Sequence, residues 1–316
     1  MTVEIIQITS EAQWLGERKK DITSTEIPAL YGLSPYKTEF ELFHEKRDGV
    51  SVKFEANERM KWGNRLEAAI AHGAAEEMGW SIAPLKVYMR DPDLRMGSSF
   101  DFEILDSDKG KGILEVKNVD GLQYARNWLD DGAGNIEAPE HIELQIQHQM
   151  ELTGYEWTAL CLLVGGNTLK IVLRKRDKEI GADIRKKIAE FWAKVDANAA
   201  PNPDYSADAE FIIKQLRGDS IDGLVAESTP QLDMLIERYH YLGQAIKEQT
   251  DIREATKAEI LMAIGSASKV VSQLGTISCG TTKDSLGTQI TADMVGTYYG
   301  ARKGFRNFRF TAKKEK

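Results

Sequence analysis

Apolar positions along this chain recur with two periods, and the switches between them mark out its elements. A period near 3.6 puts every third or fourth residue on one helical face, whereas strict alternation belongs to a strand. Ser10 opens a short helix through Trp14 and Leu15 to Arg18. In DITSTEIPALYGLSPY, Ser24 or Thr25 is the expected cap of a second helix, with Pro28 in its first turn and Gly32 as its stop. Thr38 and Glu41 have the spacing of a capping box, and Gly49 ends that helix. From about residue 57 to 78, Gly63, Glu67, Ile70, Ala71 and Ala74 share one stripe. HIELQIQHQMELTG predicts a helix facing inward through Ile142, Gln145, Ile146, Gln149 and Met150, terminated by Gly154. A helix over about 177–198 packs through Ile180, Ile184, Ile188, Phe191 and Trp192. Thr229-Pro230 starts a long one running to about Gly265. Its Leu232, Leu235, Tyr239, Leu242 and Ile246 keep a near-heptad spacing that suits packing on another helix, in this chain or in a partner.

Alternation takes over in MGSSFDFEILDSDKGKGILEVKNV, residues 96–119, which reads as a β-hairpin with a polar, glycine-rich turn. Asp101 lies on its first strand. On its second, Glu115 and Lys117 project together while Leu114 and Val116 turn the other way. EWTALCLLVGG and TLKIVLRKR form a second pair of strands around Gly165, Gly166 and Asn167, and KVVSQLGTISCG onward reads as short strands with turns. The proline-containing ANAAPNPDYS, residues 197–206, is the best break. The expected organisation is one α/β (α+β) domain over 1–200, a linker region over 201–228, and a helical and short-strand extension over 229–316 with an assembly or DNA-binding role.

Composition changes this picture little. A chain of 316 residues can bury a substantial core. No apolar run approaches the roughly 20 residues of a membrane span, and the N-terminus lacks the basic start and apolar middle of a signal peptide. Cys161 and Cys279 are too far apart in sequence to suggest a zinc or iron–sulfur site, so free thiols of a cytoplasmic protein are the simplest account. The net charge of −8 argues against a surface that grips nucleic acid everywhere, but leaves room for a local basic groove around an acidic centre. Charge is also uneven. The final ARKGFRNFRFTAKKEK holds seven Lys or Arg against one Glu, and Tyr298, Tyr299, Phe305, Phe308 and Phe310 interleave with or flank these basic residues in a pattern that could stack bases, or simply edge a terminal strand.

The hairpin carries the candidate chemistry. Two carboxylates and a lysine facing one spot can hold a divalent metal and orient a water or an anionic oxygen, a combination suited to phosphate-ester hydrolysis. Alone, such a strand is as readily a solvated edge with its charges outward. Two further residues are out of place for a plain scaffold. Glu67 sits in a small, apolar helical stripe, where a buried carboxylate needs a partner or a metal, and Gln145 is embedded among apolar groups, where its amide must find hydrogen bonds.

In order along the chain, WLGERKKDITSTEIPALYGLSPYKT, WGNRLEAAIA, GSSFDFEI, GILEVKN and APEHIELQIQHQMELTG resemble the blocks of the YqaJ-type viral recombinase branch of the PD-(D/E)xK nucleases, the branch that includes phage lambda exonuclease. The likeness spans about residues 14–175. Phe100 precedes Asp101 where the motif's name has proline, and Asn118 follows the lysine; neither alters the oxygen donors. The resemblance implies a restriction-endonuclease-like core, a central mixed sheet flanked by helices. It implies that Asp101, Glu115, the Val116 carbonyl and Glu67 hold two Mg²⁺ ions (Mn²⁺ substituting, Ca²⁺ binding without turnover), that Lys117 positions or helps deprotonate the attacking water, and that Gln145 bonds the lysine or the water. Arg18, Thr25 and Ser99 match a pocket for the 5′-phosphate of the degraded strand, with Arg126 as one further arginine to consider.

The activity implied is a 5′→3′ exonuclease on linear double-stranded DNA. It would release 5′-mononucleotides and leave a 3′ single strand for phage-type recombination in a bacterial cytoplasm. A ring-shaped homotrimer and a single-strand annealing recombinase as partner are implied as well. Two rivals stand beside it: a structure- or end-selective endonuclease on the same fold, and a non-catalytic interaction protein on a decayed core.

Overall fold

The computed structural model describes residues 2–49, 57–216 and 220–280. The chain divides into two compact units, residues 1–218 and 219–316. In the first, the elements follow in the order β1 (Glu4–Gln7), α1 (Glu11–Lys20), β2 (Ile22–Thr23), a 3-10 turn (Ile27–Tyr31), α2 (Glu39–Asp48) and α3 (Glu58–Met78). Next come β3 (Ser81–Pro84), β4 (Val87–Asp91), β5 (Met96–Ser99), β6 (Phe102–Asp106) and β7 (Gly112–Val119). The unit is completed by α4 (Gly121–Asn127), β8 (Leu129–Asp130), β9 (Ile136–Glu137), α5 (Glu140–Thr153), β10 (Trp157–Val164), β11 (Thr168–Lys175), α6 (Lys178–Asp196) and α7 (Ala209–Phe211).

A mixed five-stranded sheet in the order β11-β10-β7-β6-β3 forms the centre, β10 and β7 running parallel and the other pairs antiparallel. This is the mixed sheet flanked by helices that the sequence led us to expect. Alternation along β7 decides what each face meets. Leu114 and Val116 pack with Ile70, Ala71 and Ala74 of α3, whose small side chains let the helix lie close. Ile113, from the opposite face, packs with Met150 of α5. The β7 strand is therefore central rather than an edge, and Glu115 is only 3% exposed. Gly112 begins β7 because a Cβ there would lie 2.6 Å from the Trp157 ring.

A second sheet, β1-β4-β5-β2, lies beside the first. The stretch read as one hairpin strand over residues 96–106 is two strands in two sheets: β5 pairs with β4 and β2, whereas β6 pairs with β7 and β3. Asp101 stands at the crossing point between them, a position that alternation within a single strand does not reveal.

Local signals at helix ends hold well. Ser10 caps α1, Thr38 and Glu41 form the capping box of α2, and Gly49 and Gly154 close α2 and α5 with positive φ. Two details differ. Ser24 and Thr25 cap nothing, since the Ile27–Tyr31 turn begins after Glu26 without a side-chain cap and their hydroxyls bond elsewhere. Ile180 is exposed, and Gly181 takes the inward place on α6, where the Glu151 carboxylate lies 2.5 Å from the position a Cβ would occupy.

The chain from 201, read as the start of a linker, instead docks at first. Thr38 donates to Asp208 Oδ1 at 2.6 Å, and Phe211 packs edge-on against Phe40. In the second unit, α8 (Pro230–Ile264) is capped by Thr229, and β12 (Lys269–Ser272) pairs with β13 (Gly275–Ser278). None of the residues of α8 is buried. The aromatic residues from Tyr298 to Phe310 lie outside the described residues. Among the described residues no helix is long and apolar enough to cross a membrane.

Candidate active site

The carboxylate cluster forms where β6, β7, α3 and α5 meet. Arg18, Thr25, Glu67, Ser99, Asp101, Glu115, Val116, Lys117 and Gln145 all line one cavity of about 450 Å³. Arg126, by contrast, is exposed on α4 and does not reach it.

Asp101 Oδ2 accepts the Val116 backbone N–H at 2.8 Å, which fixes the carboxylate across the hairpin. Glu115 is held more fully. Its Oε1 accepts from Lys117 Nζ and from Gln145 Nε2, both at 2.6 Å, and its Oε2 accepts from Gln149 Nε2 at 2.9 Å. Gln145 turns its carbonyl oxygen to Lys117 at 3.2 Å. The two amides lie one helical turn apart on α5, so both face the same carboxylate. Gln149 is a site residue that sequence reasoning placed on the inward stripe without a role; its spacing from Gln145 was the available signal.

Electrostatics follow from this crowding. Burial pushes Asp101 well above the ordinary carboxylate range, Glu115 pushes the same way, and Lys117 only partly opposes them. Glu67 is raised too, by burial and then by Glu115. Burial alone would lower Lys117, but the Glu115 and Asp101 charges outweigh it and hold the ammonium protonated above its ordinary value. Burial, with the same ammonium nearby, lowers His141.

The donor set fits a hard divalent cation in kind. The Glu67 carboxylate forms no hydrogen bond among the described residues, Asp101 leaves Oδ1 unused, and both are carboxylates whose charge is costly without a counter-ion. The spacing is less complete: among the described residues no three Asp, Glu, His or Cys groups stand at ligating distance of a common point. Glu115, turned to Lys117 and the two glutamines, accounts for part of this, and a cation would compete with those hydrogen bonds.

A second subsite borders the first. Arg18 donates to Thr25 Oγ1 at 3.0 Å and lies near Thr23 Oγ1 at 3.4 Å, with its guanidinium over the Trp14 ring at 4.7 Å. The indole N–H of Trp14 donates to Ser99 Oγ at 2.7 Å, which brings the second predicted hydroxyl to the same wall. No carboxylate lies within ion-pair distance of Arg18 among the described residues, so the guanidinium keeps donors for an anion. Beneath it, Lys46 is buried and donates to the Arg18 and Asp21 carbonyls and to Glu26. No feature of the sequence singles out Trp14 or Lys46 for these roles.

A family model described as the YqaJ-like viral recombinase domain matches residues 13–156. That segment is similar to a YqaJ-type recombinase domain. Every residue of the cavity named above falls inside it. An uncharacterized protein of Bacillus subtilis, YqaJ, is 28% identical over 246 residues, which is 76% of this chain and 73% of that protein. Among solved structures, an alkaline exonuclease from Laribacter hongkongensis superposes on 60% of this chain and 94% of its own, at 18% identity and a TM-score of 0.47. A phage-related exonuclease from Haemophilus somnus covers 60% of this chain and 87% of its own, at 15% identity and a TM-score of 0.36. The matched segment ends within the loop before β10, so β10, β11, α6 and the whole second unit lie beyond it.

Proposed function

We propose that this protein is a divalent-cation-dependent 5′→3′ exonuclease acting on linear double-stranded DNA. One observation carries the reading: a protonated lysine and three carboxylates share a cavity with an arginine whose hydrogen bonds go to hydroxyls. A cluster of acids suits the scissile phosphate only with cations present, and an arginine without a carboxylate partner suits the terminal phosphate.

Asp101, Glu115, Glu67 and the Val116 carbonyl would hold Mg²⁺ or Mn²⁺, two ions per site by resemblance. When bound, such an ion supplies Lewis acidity to the phosphodiester and to the attacking water. Lys117, kept as an ammonium by its two acidic neighbours, orients the nucleophile and donates to phosphate oxygen rather than removing a proton. Gln145 and Gln149 fix the Glu115 carboxylate. Water oxygen bonds to phosphorus and releases a proton to solvent, the P–O3′ bond breaks, and the 3′ oxygen takes up a proton from solvent. The product is a 5′-mononucleotide, and the shortened strand carries a new 5′-phosphate for Arg18, Thr25 and Ser99.

By the same resemblance the enzyme works as a homotrimer and hands its 3′ strand to a single-strand annealing recombinase, in the cytoplasm of a phage-bearing bacterium. Mass photometry tests the oligomer directly.

The deciding experiment compares linear and covalently closed circular duplexes with Mg²⁺, Mn²⁺, Ca²⁺ or a chelator. The proposal expects mononucleotides from linear DNA with Mg²⁺ or Mn²⁺ and none with Ca²⁺ or chelator. Cutting of the closed circle would instead make the protein an endonuclease. Inertness of both substrates with every cation would leave the non-catalytic reading.

A further inference from the structure

A smaller cleft opens beside the cavity, and its Pro35, Tyr36 and His141 have no part in the proposed hydrolysis. Thr25 stands at one end and Lys117 with Gln145 at the other; Pro35, Tyr36 and His141 form its walls. Its volume is about 230 Å³, room for a single nucleoside.

Three features set this cleft apart from ordinary surface. Tyr36 is 80% exposed, so burial does not explain an aromatic residue there. Its loop is nonetheless held: the Ser34 hydroxyl accepts the Tyr36 backbone N–H at 3.2 Å and that of Lys37 at 3.3 Å, Pro35 restricts the turn, and Lys37 pairs with Glu45. The third is His141, which meets the Tyr36 ring edge-on, with centroids 6.1 Å apart, and sits one turn before Gln145 on α5. A rigid aromatic face and a ring edge thus stand over a slot that begins at the phosphate-binding hydroxyl and ends at the lysine of the carboxylate cluster.

We infer that this cleft is the slot for the base of the 5′-terminal nucleotide, with Tyr36 as its stacking platform and His141 as its end wall. The inference rests on the exonuclease reading above for the identity of the strand. In that reading one phosphate lies at Arg18 and Thr25 and the next at Glu115 and Lys117, so the nucleoside joining them must occupy the space between. The cleft touches Thr25 and Lys117 and is the apolar side of that space. Stacking uses the π-face that every base has, so the slot should accept all four bases. Neither residue touches the reacting atoms: Tyr36 and His141 bind and position.

The test measures binding of dAMP and of 2-deoxyribose 5-phosphate to the full-length chain by calorimetry, without added divalent cation. The wild type should prefer dAMP by about tenfold, the worth of one stacked base. Tyr36→Ala should bring the two ligands to similar affinity while leaving that for the sugar phosphate unchanged, and Tyr36→Phe should keep the preference. Arg18→Ala should weaken both ligands alike. Equal affinity for the two ligands in the wild type, no binding of either, or an unchanged preference in Tyr36→Ala would overturn the slot.

A kinetic arm separates this failure from failure of the exonuclease reading. Duplexes whose 5′-terminal nucleotide is abasic should be degraded about tenfold more slowly than normal ones by the wild type, and Tyr36→Ala should erase the difference. Degradation of linear DNA with indifference to the terminal base removes the slot and spares the nuclease. A Tyr36-dependent preference for dAMP without degradation keeps a base-binding site and removes the nuclease.

Discussion

Gln149 on α5 donates its amide to Glu115 Oε2 on β7 at 2.9 Å, across 34 positions of sequence. The bond leaves one oxygen of a 3%-exposed carboxylate facing a fixed donor while Lys117 and Gln145 hold the other. Gln149→Leu removes the donor with little change in volume. A hydrogen bond to a charged group is worth about 1.5–3 kcal/mol, so kcat should fall roughly 10–100-fold with the KM for DNA nearly unchanged. The variant should also need more Mg²⁺ for half-maximal rate. Wild-type kcat in Gln149→Leu would show that Glu115 is held by its other partners alone.

Hydrolysis should be undetectable in Lys117→Ala, Glu115→Ala and Asp101→Asn, each with a wild-type circular dichroism spectrum. Asp101→Asn carries an additional signature. Burial and the Glu115 charge raise the Asp101 pKa, so its ionised form is a cost to the folded state at neutral pH. An asparagine oxygen can still accept the Val116 N–H. The melting temperature without divalent cation should therefore rise in this variant, which a thermal scan reads directly; a fall would contradict the assigned electrostatics.

Arg18→Ala should act on ends rather than on chemistry. The wild type is expected to favour 5′-phosphorylated over 5′-hydroxyl linear duplexes, and the variant should lose about tenfold or more of that preference. The rate of a single turnover on a saturating substrate should change less than the discrimination does. An unaltered ratio of the two rates would take the guanidinium out of the terminal-phosphate pocket.

His148 supplies a pH dependence that is independent of catalysis. Its ring is fully buried on α5, with Nε2 3.3 Å from the Ile22 carbonyl, and burial lowers its pKa from 6.5 to about 4. Between those values the unfolded chain binds the proton and the folded one does not, so this contribution is intact above about pH 6.5 and lost as pH falls toward 4. The loss amounts to about 3 kcal/mol. Urea titrations from pH 7 to 4 should show the midpoint falling, and His148→Phe should flatten this part of the profile.

Short-range signals made much of this architecture legible. The capping box at Thr38 and Glu41, the glycines that close α2 and α5, and the alternation through Leu114, Glu115, Val116 and Lys117 all act within a few residues, where sequence spacing is nearly spatial spacing. The resemblance of five ordered blocks then named the residues that line the cavity. Errors fell where neighbours distant in sequence decide. Ile180 points outward because Glu151 claims the space inside Gly181, and the chain after Pro201 docks on α2 through Asp208 and Phe211.

By itself, then, the chain determined helices α1, α2, α3, α5, α6 and α8, the β6–β7 hairpin, and the face of β7 on which Glu115 and Lys117 stand, because periodicity is a property of one element at a time. Tertiary structure alone decided that the backbone changes sheets at Asp101, that Trp14 holds Ser99, and that Tyr36 meets His141 beside the cavity. Those relationships join residues up to 105 positions apart, and the packing of separate elements, which no local pattern encodes, brings them within contact.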